Sequence, residues 1–214
     1  MLDRFMMEIR EIRALRGANY YSRYPVIYMQ VALGELEENP SDKIAGFKDR
    51  VEKILPSLVE HQCSLGCRGG FFERLDRGTW AGHIAEHVAI ELQCLANMEV
   101  GFGKTYGTDD CGVYDVVFRY RIEEVGLEAG KYAVQIVNNL FNDKDTDISP
   151  IVQHLKELRE NNLLGPSTQS IVSEAQSRSI PVVRLNDQSY VKLGYGIHQR
   201  RIQATIIDST SAIG

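Results

Sequence analysis

The hydrophobic positions along this chain follow two periodicities, one typical of strands and one typical of helices. Runs of β-branched and long apolar residues predict strands at 7–16, 26–33 and 113–122. Apolar residues at helical spacing predict helices at 43–59, 79–97, 128–141 and 150–161. The remaining pattern predicts a helix near 167–178 and strands at 180–186, 189–195 and 201–207. We therefore expect an α/β (α+β) fold with helices packed on a mixed or antiparallel sheet.

Local signals refine these elements. Pro56 should kink or shorten the helix predicted at 43–59. Thr79 is the predicted N-cap for the helix at 79–97, and the glycine-rich segment 61–72 is expected to be a loop. The segment near 161–166 reads as a domain boundary, which gives domains at 1–160 and 161–214.

Composition narrows the class of protein. Hydrophobic residues make up 43% and charged residues 25%, as in soluble globular proteins. A net charge of −5 argues against nucleic acid as a partner, because binding nucleic acid requires an excess of Lys and Arg. Neither a secretory signal nor an apolar run of roughly 20 residues is evident, so we expect a cytoplasmic protein with no membrane partner. In that compartment the 4 cysteines are expected to be thiols or metal ligands.

The sharpest chemical signal is His83-Ile84-Ala85-Glu86-His87. Residues four apart share one face of a helix, so His83 and His87 can direct two imidazoles at one metal ion. The pattern is the inverted zincin motif, in which the glutamate acts as the general base of a metallohydrolase. It predicts zinc on the two histidines, with Glu86 as the catalytic base. The alternative is a pair of histidines that merely line a helix surface.

A catalytic zinc site usually has three protein ligands, and the motif supplies two. Four residues are candidates for the third: Glu91, Cys63, Cys67 and Cys111. We prefer Cys67 because it lies in the glycine-rich segment just before the helix.

Other segments allow binding roles beside structural ones. Arg16 and Tyr20 belong to a cationic, aromatic stretch that can bind a ligand or remain a solvated loop. The glycines around Lys104 suggest a phosphate-binding loop, but Met98 stands where that motif requires glycine. We therefore interpret 101–105 as a turn after a helix, and the remaining hypothesis is that Lys104 holds substrate carboxylates.

Several segments together resemble one known family. Arg16-Gly17-Ala18-Asn19-Tyr20-Tyr21-Ser22 is similar to the opening signature of cyanophycin synthetases, in which tryptophan is common at the position of Tyr21. Further similar segments, in the same order and spacing, are 60–71, 82–93, 100–103, 164–168 and 193–205. The resemblance covers nearly the whole chain.

The resemblance implies that the chain handles cyanophycin, a poly-aspartate with arginine on each side-chain carboxylate. It implies that residues 1–160 bind the polymer and cut it slowly to make primers, with a non-catalytic tethering module as the alternative. Arg16, Tyr20, Arg68 and Lys104 are the expected substrate-binding residues. Residues 161–214 are expected to begin an ATP-grasp domain. ATP, magnesium, ligase activity and a homo-oligomer are implied for the full-length family, and ligation is not expected from this chain alone.

Overall fold

The computed structural model describes residues 4–186, 188–204, 206, 207 and 210. The strands are β1 (Glu8–Leu15), β2 (Val26–Ala32), β3 (Gly103–Gly107), β4 (Val113–Arg119), β5 (Val182–Arg184), β6 (Tyr190–Leu193), β7 (Arg200–Gln203) and β8 (Ile206–Ile207). The α-helices are α1 (Phe47–Ile54), α2 (Gly70–Arg77), α3 (Ala81–Leu95), α4 (Glu123–Phe141), α5 (Ser149–Asn161) and α6 (Pro166–Ser177). Short 3-10 helices lie at Gly34–Glu37, Ser41–Lys43, Pro56–Glu60, Cys63–Leu65 and Gly196–His198.

The larger sheet has the strand order β1-β2-β4-β3, and every neighbouring pair is antiparallel. Side chains alternate across β2, so Ile27, Met29 and Val31 point to one face and are fully buried. Helices α3 and α4 pack on that face and complete the main hydrophobic core. The fold is therefore α/β with an antiparallel sheet and packed helices, which confirms that part of the prediction.

The opposite face of this sheet carries a smaller apolar cluster built on Val26, Tyr28 and Val117. Within the described residues no helix is both long and apolar enough to cross a membrane.

A second antiparallel sheet follows, in the order β5-β6-β7-β8. Helix α6 contributes Val172 to a separate apolar cluster with Val191 and Ile202. The helix and strands expected after residue 166 are thus confirmed in kind, although Thr205, within the strand predicted at 201–207, lies outside the described residues. The ATP-grasp assignment and the boundary near residue 160 stay predictions.

Two elements differ from the sequence-based expectation. The segment 101–105, expected to be a turn, contains most of β3, which pairs along its length with β4. The segment expected to be a loop up to residue 72 ends early, because α2 begins at Gly70. In both places glycine lowers the intrinsic preference for a helix or strand, so the element is not evident from the sequence and is stabilised by tertiary contacts.

Helix ends also differ in detail. Helix α1 ends at Ile54, and a 3-10 helix begins at Pro56, in agreement with the break that was predicted at this proline. Thr79 is not the N-cap of α3: that position is Trp80, and the Thr79 hydroxyl instead contacts His83. Helix α4 begins at Glu123, five residues before the predicted start at 128.

Candidate metal centre

Helix α3 brings the two motif histidines together. His83 and His87 lie one turn apart, and their ring centroids are 4.8 Å from each other. The third member of the cluster is Cys63, whose Sγ lies 3.5 Å from His83 Nε2. Potential ligand atoms of Cys63, His83 and His87 all lie within 4.8 Å of one another. A thiolate and two imidazoles form a ligand set that suits zinc and leaves a fourth position open.

The outer nitrogen of His83 has a partner that fixes the ring. Nδ1 of His83 lies 2.9 Å from the Thr79 hydroxyl. When Nδ1–H donates to that oxygen, Nε2 keeps its lone pair on the side of Cys63. Such outer partners orient ligating histidines in metal sites.

His87 is held by a longer chain of partners. Its Nδ1 lies 2.9 Å from His61 Nδ1, and His61 Nε2 lies 2.8 Å from Glu91 Oε2. Glu91 also accepts a hydrogen bond from Ser57. When His61 donates its Nε2–H to Glu91, its Nδ1 can accept Nδ1–H from His87, which leaves the Nε2 lone pair of His87 for a metal. Glu91 therefore supports the site from outside the cluster.

The electrostatics of the cluster favour uncharged imidazoles. Burial, with a smaller effect of the Arg74 charge, lowers the pKa of His83 to about 4. Burial and the neighbouring His83 and His61 hold the pKa of His87 well below its usual value. Both rings are thus neutral at pH 7, which is the form that binds a metal ion.

Glu86 is the buried carboxylate of the site, with a relative exposure of 4%. Burial raises its pKa to about 7, although a hydrogen bond from Thr105 Oγ1 to Oε2, 2.7 Å long, acts in the opposite direction. A pKa near the working pH suits a group that must both accept and return a proton.

Gly103, on β3, makes room for Glu86. A Cβ atom at this position would lie 2.6 Å from Glu86 Oε1 and 2.8 Å from Ile90 Cδ1. We expect Gly103→Ala to displace Glu86 and to lower the free energy of unfolding by about 1–3 kcal/mol, the usual cost of overpacking. Gly101→Ala is the matched control, since a Cβ there meets no atom within 4 Å. Chemical denaturation of both variants checks this, and equal stabilities would contradict the close approach.

The cluster opens into a cleft of about 1110 Å³. Its wall carries both signs of charge and two aromatic groups: Glu60, Arg74, Trp80, Lys104 and Tyr114. A substrate that carries both cationic and anionic groups fits such a wall better than a uniformly charged one.

The structure brings four of the predicted site residues to this cleft: His83, Glu86, His87 and Lys104. Cys67, the preferred third ligand, is exposed and is not part of the cluster. Cys63 is the cysteine beside His83: it begins the 3-10 helix at Cys63–Leu65, and its Sγ lies 3.5 Å from His83 Nε2.

The other predicted binding residues lie outside the cleft wall. Arg16 forms a bidentate ion pair with Glu123, and both N–O distances are 2.6 Å. Tyr20 is 95% exposed. Arg68 is exposed and donates from Nε to Glu60 Oε1 over 2.8 Å, so it touches a residue of the cleft rim.

Sequence reasoning missed four residues that shape the site: His61, Thr79 as a partner of His83, Gly103 and Thr105. The only signal for His61 was its place two residues before Cys63. Thr105 and Gly103 carried no signal because the strand that contains them was not predicted.

Fold and site together define an α/β domain in which two histidines of helix α3, Cys63 and a buried carboxylate line one cleft. The family model described as "Cyanophycin synthase-like N-terminal domain" matches residues 28–142, and the chain belongs to this family.

Curated relatives named cyanophycin synthetase are similar over nearly all of the chain. The protein from Geminocystis herdmanii is 47% identical over 97% of this chain, and the protein from Synechocystis sp. is 45% identical over 97%. The protein from Crocosphaera subtropica is 47% identical over 94%. The chain spans about a quarter of the length of these relatives, 24% in each case.

Proposed function

We propose that this chain is the N-terminal portion of a cyanophycin synthetase, and that it binds cyanophycin and hydrolyses it slowly to provide primers. The observation that carries the proposal is Glu86, a buried carboxylate with a raised pKa next to the Cys63/His83/His87 cluster and open to the cleft. The polymer is inferred from the names of the relatives, and the hydrolytic chemistry is inferred from the residues of the site.

The proposed reaction is hydrolysis of a main-chain amide. Cys63, His83 and His87 would hold a zinc ion, which when bound supplies a Lewis acid for the carbonyl and for water. Glu86 accepts a proton from the attacking water and delivers it to the leaving amine. Thr105 holds Glu86 in place through its hydroxyl.

The wall of the cleft supports cyanophycin as the substrate. The polymer carries a guanidinium on each arginine and a free carboxylate on that same residue. Glu60 offers a carboxylate for guanidinium groups, while Arg74 offers a cation for carboxylates. Trp80, which is 41% exposed, adds an aromatic face on which a guanidinium can stack.

A specific observation also favours a tethering role on the outer face of the larger sheet. The Tyr20 and Tyr21 rings are 5.2 Å apart, and Tyr21 lies 5.5 Å from Tyr106. Lys104 Nζ lies 5.2 Å from the Tyr106 ring centroid, so this aromatic row reaches a residue of the cleft wall. We propose that it holds polymer that extends beyond the cleft. We propose that the protein as a whole synthesises cyanophycin with ATP and magnesium. The cytoplasmic location and any homo-oligomer are likewise proposed for the whole protein.

Metal removal tests the proposal. We expect the purified chain to hold about one zinc ion, as three-ligand catalytic sites do, and to release shorter chains from cyanophycin. A chelator should abolish cleavage, and added zinc, but not magnesium, should restore it. Full cleavage by protein that elemental analysis shows to be metal-free would contradict the role of the cluster. Polymer binding without metal and without cleavage would leave the tethering role alone.

A further inference from the structure

Strand β3 has one free edge. It is the last strand in the order β1-β2-β4-β3, and its only strand partner within the described residues is β4. Arg119 N–H donates to Phe102 C=O over 2.8 Å, and Thr108 N–H donates to Val113 C=O over 3.3 Å. Antiparallel neighbours alternate between pairs that exchange these bonds and pairs that do not. The even-numbered residues from 102 to 108 therefore bond to β4.

The odd-numbered residues consequently turn their main-chain groups outward. These are Gly103, Thr105 and Gly107, and all three line the cleft. No backbone or side-chain hydrogen bond to their N–H and C=O groups is present in the part of the chain that the structure describes. An edge of this kind is a ready template for pairing with another extended chain.

The free edge also passes the reactive carboxylate. Gly103 touches Glu86 closely enough to exclude a Cβ atom, and Thr105 donates to Glu86 Oε2. Gly107 has open space where a side chain would stand. Two of the three outward residues thus lack side chains, which leaves the main chain accessible at both ends of the strand.

We propose that the substrate main chain binds along this edge as a fifth, extended strand, which rests on the proposed function as hydrolysis of a peptide-like polymer. Outward N–H and C=O groups of Gly103, Thr105 and Gly107 hydrogen-bond to alternate main-chain units of the substrate. Such strand addition draws affinity from the main chain and specificity from pockets for alternate side chains.

This binding mode gives the two surfaces of the site distinct roles. Because side chains alternate across a strand, every second arginine-bearing unit points into the cleft toward Glu60 and Arg74. The units between them point to the outer face, where Lys104 and Tyr106 lie side by side. The regular poly-aspartate main chain is the feature that the edge recognises.

Amide hydrogen exchange tests the proposal directly. The Glu86→Gln chain, used so that substrate is not consumed, is mixed with short soluble oligomers of cyanophycin, and residue-specific exchange is followed by NMR. We expect slowed exchange at Gly103, Thr105 and Gly107, and little change at Lys104 and Tyr106, whose amides already bond to β4. Failure of the oligomers to protect the three alternate amides would overturn strand addition.

A pair of substitutions isolates one of the bonds. Gly107→Pro removes the outward N–H without removing a bond to β4, whereas Gly107→Ala keeps it. We expect the proline variant to bind oligomers about 3–10-fold more weakly than the alanine variant, as loss of one hydrogen bond predicts. Equal affinities would contradict the proposal. Cleavage by the unaltered chain reports on hydrolysis separately: cleavage without amide protection refutes only strand addition, and protection without cleavage refutes only hydrolysis.

Discussion

Replacing Glu86 by glutamine is expected to abolish cleavage of cyanophycin while the fold and the metal content stay intact. Glutamine has nearly the same shape and can still accept the hydrogen bond from Thr105, but it cannot take a proton from water. General-base catalysis contributes about 10²–10⁴-fold to rate, so we expect a loss of at least that order. The measurement is the rate of chain shortening at saturating polymer, with zinc content and thermal unfolding determined on the same samples.

The matched control is Glu60→Gln, which changes a carboxylate that lines the same cleft but is exposed and paired with Arg68. We expect this variant to bind polymer more weakly and to retain a turnover rate close to that of the parent. Retention of full activity by Glu86→Gln, with zinc still bound, would remove Glu86 from the mechanism. Equal losses in both variants would instead indicate that any charge change in the cleft disturbs binding.

The stability of the Glu86 variant has an expected sign. A buried carboxyl whose pKa is raised to about 7 destabilises the metal-free fold once it ionises, so its protonated form contributes stability at low pH that is lost as pH rises through 7. Glutamine carries no charge at any pH. An inactive but unchanged or more stable variant therefore distinguishes lost chemistry from lost folding.

The motif histidines could be predicted from sequence because helical spacing alone fixes their relation. Positions four apart on one helix meet on one face whatever surrounds the helix, and the ring centroids of His83 and His87 are indeed 4.8 Å apart. The buried strand β2 and helix α4 were also predictable, since each carries enough apolar residues to show its period.

The missed elements show the limit of that reasoning. Strand β3 reads Gly-Lys-Thr-Tyr-Gly, which has weak intrinsic strand preference, and its conformation comes from the pairing with β4. Its contact with Glu86 is equally non-local, because 17 positions separate Gly103 from Glu86 along the chain (103 minus 86). Local pattern carries no information on such a contact.

The choice between Cys63 and Cys67 as a third ligand could not be made from sequence for a related reason. Cys63 and Cys67 lie in one irregular, glycine-rich segment, where no helical or strand period fixes the direction of a side chain. In the structure Cys63 has a positive φ of 50°, an uncommon conformation for a residue other than glycine. This backbone conformation accompanies the placement of its sulfur beside His83.

Replacing Cys63 by serine is therefore expected to weaken zinc binding far more than replacing Cys67 by serine. A hydroxyl is a poor substitute for a thiolate, and loss of even an outer partner of a metal ligand costs about 10–100-fold in affinity. We expect Cys63→Ser to exceed the upper end of that range, which corresponds to more than about 2.7 kcal/mol. Cys67→Ser, an exposed change four residues away, should leave affinity unchanged. Zinc competition against a chelator of known affinity measures both.

Loss of zinc from Cys67→Ser, or from neither variant, would indicate a different set of metal ligands. If Cys67→Ser lost zinc and Cys63→Ser kept it, the segment 63–67 would have to rearrange when the metal binds, because Cys67 is exposed and Cys63 is the cysteine beside His83. If both variants kept zinc, the remaining oxygen and nitrogen donors would hold it, and Glu91 would be the first residue to test, since its carboxylate already contacts His61 within the same buried chain of partners. Only selective loss in Cys63→Ser agrees with a site built from one thiolate and two imidazoles.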